Sequence, residues 1–104
     1  MSLKIEVDPT ADVTHVRVAG EITVKTYRQL TETIEALAGK ASPPTSVRLD
    51  LAQVDYVDSV GLGSLIKIFT TLRKAGAGLV IANPAHSIRD SLTLTKLDQL
   101  LTLE

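Results

Sequence analysis

The sequence predicts an α/β fold: a mixed sheet of four to five strands, mostly parallel with an antiparallel edge, packed with helices. Three observations lead there. Two short β-like runs, Leu3–Val7 and Thr14–Ala19, flank Asp8-Pro9-Thr10-Ala11-Asp12, whose proline and aspartates suit a reversal. Strand-length apolar runs then alternate with stretches of helical periodicity, in the order ββαβαβα(β). Glycine and proline punctuate nearly every boundary. At 104 residues the chain has room for one domain, residues 1–104, built on a single core.

Ile5 and Val7, then Val13, Val16 and Val18, supply the apolar positions of the hairpin, which Gly20 ends. Thr26 is the expected cap of the first helix, whose stripe is Tyr27, Leu30, Ile34 and Leu37. Gly39 closes that helix, and Ser42-Pro43-Pro44-Thr45 forbids its continuation. Ser46–Leu51 is the next strand. A long helix from about Ser59 to Ala75 carries Leu62, Leu65, Ile66, Phe69 and Leu72 at i, i+3, i+4 and i+7 spacing. Gly76-Ala77-Gly78 terminates it, and Leu79–Ala82 forms another short strand. Asn83-Pro84 resembles a helix start, with Ser87 a rival cap for Ile88–Leu94. Leu97, Leu100, Leu101 and Leu103 finish the chain as a turn and an edge strand. In such a fold the carboxyl ends of the parallel strands share one rim, where Gly20–Lys25, Ala52–Gly61 and Asn83–Ser87 are expected to converge.

Composition excludes several function classes. Apolar residues make up 44% of the chain but aromatics only 3%, so the core must be aliphatic and stacking platforms for single-stranded nucleic acid are lacking. A net charge of −1 offers no field for phosphate backbones, so no direct nucleic-acid partner is expected. Without cysteine there is no disulfide, thiolate or cysteine–metal chemistry. The N-terminus, Met1-Ser2-Leu3-Lys4-Ile5-Glu6, is charged and alternating rather than a signal-like block. No apolar run approaches the ~20 residues that span a bilayer. A cytoplasmic protein without direct membrane insertion is the expectation.

The most informative stretch is Asp58-Ser59-Val60-Gly61-Leu62-Gly63, at the turn from an apolar strand into the long helix. The first N–H groups of a helix lack internal partners, so such a turn can cap itself, hold an anion or carry a modifiable serine. Read from the residues alone, Asp58-Ser59 fits an ordinary cap, and Gly61 and Gly63 fit close helix–sheet contact. Yet two glycines this early in a helix, each costing ~1 kcal/mol of propensity, exceed what a cap needs. Catalytic readings fail. Gly-Leu-Gly is neither a dinucleotide fingerprint nor a P-loop, and Ser59 sits in no nucleophile elbow. His15 and His86 have no third ligand at metal spacing, and Asp50, Asp55 and Asp58 recur irregularly, as caps and turns do. No enzyme, metal site or cofactor is expected.

This turn, preceded by Leu49-Asp50-Leu51 and Val54-Asp55-Tyr56-Val57, resembles the signature of STAS domains, above all the anti-sigma-factor antagonists. The resemblance extends to Gly20-Glu21, Gly76, Gly78 and Asn83-Pro84, and so covers nearly the whole chain. It implies that Ser59 is the serine phosphorylated by a partner that is both anti-sigma factor and serine kinase, and that a separate serine phosphatase resets it. ATP and magnesium then belong to the kinase. Asp58, Val60, Gly61, Leu62, Glu21 and Thr23 are the implied partner-binding residues. Three positions depart from the family pattern: Val60 stands where a second hydroxyl residue is often found, Thr23 where Asp is common, and Lys96 where Gly is frequent. Two further readings fit the same turn: a constitutive STAS adaptor subunit of a transporter or signalling scaffold, and a small-molecule or nucleotide sensor using the turn as an anion site.

Overall fold

Valines and leucines that alternate along the strands line one face of a five-stranded sheet. The computed structural model describes residues 2–10 and 12–104. Its elements are β1 (Lys4–Pro9), β2 (Val13–Ile22), α1 (Tyr27–Ala38), β3 (Ser46–Val57), α2 (Ser59–Lys74), β4 (Gly78–Ala82), α3 (His86–Leu94), a 3-10 turn (Leu97–Gln99) and β5 (Thr102–Leu103). The strands lie in chain order, β1 antiparallel to β2 and every later pair parallel. The mixed sheet with an antiparallel edge is what forms. Ala11, within the predicted reversal, and Met1, at the start of the N-terminal run, lie outside the described residues. Beside Ala11, the Thr10 N–H and hydroxyl both donate to the Val13 carbonyl (2.9 and 2.7 Å).

The strands run farther than their periodicity suggests. Along β2 the core-facing positions keep a period of two, Thr14, Val16, Val18, Gly20 and Ile22. Along β3 they fall at Val47, Leu49, Leu51, Val54 and Val57. The register explains the change: Arg17 pairs with Asp50 but Ala19 with Gln53, and Gly20 pairs with Val54 but Glu21 with Tyr56. Each shift gives β3 one residue more than β2, a β-bulge that restores the apolar phase. The sequence reading ended β3 at Leu51 because alternation fails there; the strand continues to Val57. Nor does Gly20 end β2. It sits at the second irregularity with φ +118°, a conformation open to glycine, and the strand goes on to Ile22.

Those lengths decide which segments meet. The last β3–β4 pair is Asp50 with Ala82, whereas β2 and β3 stay paired to Ile22 and Val57. The Gly20–Lys25 segment therefore reaches the end of β3, but Asn83–Ser87 does not. Asn83 stays at the level of Asp50, to whose carboxylate its Nδ2 donates at 3.3 Å. Convergence of three segments is corrected to two.

Helices α1 and α2 pack side by side, and Leu30, Ile34 and Leu37 of α1 and Leu65, Ile68 and Leu72 of α2 are buried in one aliphatic core with the sheet. Ile88 and Leu92 of α3 extend the same aliphatic core to Leu101. Two caps differ from expectation. Thr26 occupies the α1 N-cap position, but its hydroxyl serves the preceding loop instead. Gly39 closes α1 as expected, in right-handed geometry. At α3 the N-cap is Ala85, leaving Ser87 inside the helix. Among the described residues, no helix is long and apolar enough to cross a membrane.

Lys96 adopts φ +61°, ψ +18° just before the 3-10 turn. A left-handed conformation costs a side chain about 1–2 kcal/mol, which is the physical reason a glycine suits this position. Lys96→Gly should raise stability by about 0.5–1 kcal/mol, strain relief less the added chain entropy, as a higher urea midpoint with unchanged slope.

Candidate functional site

Where β3 hands over to α2, Asp58 is extended (φ −84°, ψ −177°) and stands as N-cap, with Ser59 the first helical residue. The two carboxylate oxygens of Asp58 do different work. Oδ1 accepts the Gly61 N–H at 2.7 Å, the bond a capping residue is expected to make. Oδ2 accepts the Val24 N–H at 3.0 Å, across 34 positions of sequence. Asp58's own N–H donates to the Ile22 carbonyl at 3.2 Å. One residue thus ties the start of α2 to the loop between β2 and α1.

That loop is also closed on itself. The Thr26 hydroxyl donates to the Glu21 carbonyl (2.6 Å) and accepts the Thr23 N–H (2.9 Å). Thr26 and Tyr27 both donate their N–H groups to the Thr23 carbonyl. Thr26 is buried, which makes these bonds costly to break. At the adjoining turn of α1, Arg28 Nε donates to the Tyr27 hydroxyl at 3.5 Å, which raises the guanidinium pKa and leaves it a fixed cation.

The two glycines of the motif have unlike roles. A Cβ at position 61 would stand 2.1 Å from the Ile22 carbonyl oxygen and 2.8 Å from Val57 Cγ1, distances no real side chain tolerates. Gly61 lets the first turn of α2 lie directly on the end of β2. At position 63 nothing lies within 4 Å, so packing does not explain that glycine.

Of the residues singled out from sequence, Ser59 and Val60 are exposed, and Asp58, Glu21 and Thr23 are half-buried. The last three border a cleft of about 630 Å³ that also takes in Val24, Lys25 and Asp55. Gly61 is buried, and Leu62 packs against the core, so both face inward. His15 lies on β2, while His86 is exposed with Nε2 3.4 Å from Asp90 Oδ2. Among the described residues, no group of three or more His, Asp or Glu side chains has the geometry to hold a metal ion.

Val24 falls within the expected Gly20–Lys25 rim segment and Tyr56 within the Val54–Val57 run, but the sequence does not single out either as exposed beside this turn. The Val24 contact uses a main-chain N–H, which carries no residue signature. Tyr56 follows two bulges, beyond which parity along β3 no longer reports the outward face.

A family model of the STAS domain matches residues 4–104. The chain is 27% identical over 103 residues to the anti-sigma-B factor antagonist of Bacillus subtilis, covering 99% of this chain and 92% of that protein. Among solved structures, an anti-sigma factor antagonist from Mycobacterium paratuberculosis is 31% identical, with a TM-score of 0.79 over 97% of this chain and 84% of that one. A protein from Thermotoga maritima described as a putative anti-sigma factor antagonist superposes with a TM-score of 0.85, over 95% of this chain and 84% of that one, at 19% identity, a likeness of fold alone.

Two sets of substitutions test the geometry. Gly61→Ala should destabilise the protein by about 3 kcal/mol or more, because backbone must move to admit the methyl. Gly63→Ala should stabilise it by about 0.5–1 kcal/mol, which paired urea titrations would resolve. Asp58→Asn offers one acceptor to two N–H groups. It should cost about 1–2 kcal/mol and speed amide exchange at Val24 while Gly61 stays protected, whereas Asp58→Ala should expose both amides and cost about 2–4 kcal/mol.

Proposed function

The chain belongs to the STAS domain family, and we propose that within it the protein is a cytoplasmic anti-sigma-factor antagonist. It binds an anti-sigma factor that is also a serine kinase, and phosphorylation of Ser59 abolishes the binding. The relatives described as anti-sigma-B factor antagonists, aligned over almost the full length, support this role. One observation carries the regulatory part. Ser59 is exposed at the first position of α2, immediately after a cap that is already complete without its hydroxyl.

The physics favours a change in binding over a change in fold. Phosphorylation adds about −1.5 to −2 charges and strong acceptor oxygens. At a helix N-terminus the positive dipole end and the free N–H groups tolerate that charge. A partner covering Ser59 would have to strip the phosphate of water beside Asp58, Glu21 and Asp55. A loss of ~3 kcal/mol changes affinity by more than a hundredfold. Asp58, Glu21, Thr23 and Val60 are the proposed contacts, with Gly61 and Leu62 shaping the surface from beneath. A serine phosphatase restores the binding form.

Coexpression with each histidine-kinase-like anti-sigma factor encoded in the same genome, followed by mass spectrometry of the tryptic peptide Leu49–Lys67, tests the proposal. The expected result is a single phosphate on Ser59. Ser59→Ala should bind the same partner without being modified, and Ser59→Asp should bind about a hundredfold more weakly. An unmodified serine with every kinase, or full binding by Ser59→Asp, would overturn the switch.

A further inference from the structure

Six large apolar side chains stand exposed among the described residues, and three of them belong to the segments that meet at Asp58, the residue before Ser59: Val24 at 60%, Tyr56 at 52% and Val60 at 39%. They come from three different segments, yet each is fixed to Asp58. Val24 is held through its N–H; Tyr56 precedes Asp58 by two residues on β3, and Val60 follows it by two on α2. Single exposed apolar residues need no explanation, but three carried by separate segments to one anchored rim are a candidate docking surface. Its backbone is already ordered by the Asp58, Thr26 and Ile22 bonds, so docking would cost little conformational entropy. Beside it Glu21, Asp55 and Asp58 border the cleft with Lys25 as the opposing charge.

We infer that Val24, Tyr56 and Val60 are the apolar anchor of the partner-binding surface, and that they receive a protein face with an apolar centre and lysine or arginine at its margin. Charge complementarity identifies the occupant: three carboxylates against one lysine select a basic rim, which sets approach and register. Affinity comes from the buried centre, where an aromatic residue is the usual hot spot. Of the three, Tyr56 supplies the one ring and Val24 is the more exposed of the two aliphatic groups. The inference rests on the proposed role of Ser59 and divides the labour: the patch supplies affinity, and the serine removes it.

The experiment titrates the full chain by calorimetry against the panel of histidine-kinase-like anti-sigma factors of the same genome. It uses Val24→Ala, Tyr56→Ala, Tyr56→Phe, Val60→Ala and Ser59→Asp, with unfolding midpoints as a fold control. Val24→Ala and Tyr56→Ala should each weaken binding by about tenfold or more with unchanged midpoints, Val60→Ala less, and Tyr56→Phe should retain affinity. Raised salt should slow association without removing the effect of the apolar substitutions. Full binding by Val24→Ala and Tyr56→Ala, with loss only in Ser59→Asp, would overturn the patch and leave the serine switch standing. The reverse pattern would uphold the patch and overturn the switch. Silence from the whole panel with the unmodified chain would overturn both.

Discussion

Everything at the candidate site depends on one carboxylate with two oxygens. A serine or threonine at position 58 could cap α2, but only a forked acceptor can cap the helix and hold the Val24 N–H together. The arrangement works because Gly61 brings the helix onto the end of β2, so that the two donors lie within reach of a short side chain. Cap, glycine and loop form one unit. Its product is a rim whose backbone is set before any partner arrives, with a free hydroxyl at its crest.

Under the proposed switch, the same unit accounts for how phosphorylation of Ser59 can abolish binding and still leave the fold intact. Helix N-termini differ from most of a protein surface in that added negative charge is locally welcome. What the charge changes is the cost of drying that surface against another protein. The interior of this chain is aliphatic: Leu65, Ile68 and Leu72 of α2 are buried, whereas Ser59 and Val60 at its first turn are exposed.

Legibility in the sequence followed the range of the interactions. The α1 stripe, the run Val47, Leu49 and Leu51, and the cap at Asp58 are local patterns, and each lies where the sequence places it. The buried face of α2 is instead Gly61, Ser64, Leu65, Ile68 and Leu72, sharing only Leu65 and Leu72 with the expected stripe. Contacts made by main chain were invisible, as Val24 shows. Two bulges hid the last six residues of β3 and misplaced Asn83–Ser87, because a period-two argument has no memory across an inserted residue. The departure at Lys96 was visible as a residue type, but its left-handed backbone was not. Gly61 was recognised as part of a motif; that its absent methyl is dictated by the Ile22 carbonyl required coordinates.

The overhang of β3 beyond β4 has a mechanical consequence. Past Asp50 this strand leans on β2 alone, so the tip bearing Asp58 is a two-stranded promontory underpinned by the opening turn of α2. Within the sheet, β4 and β5 meet this strand only up to Asp50, well short of the tip. Under the proposed role, the headland that meets the partner is braced by β2 and α2 and not by the later strands of the sheet.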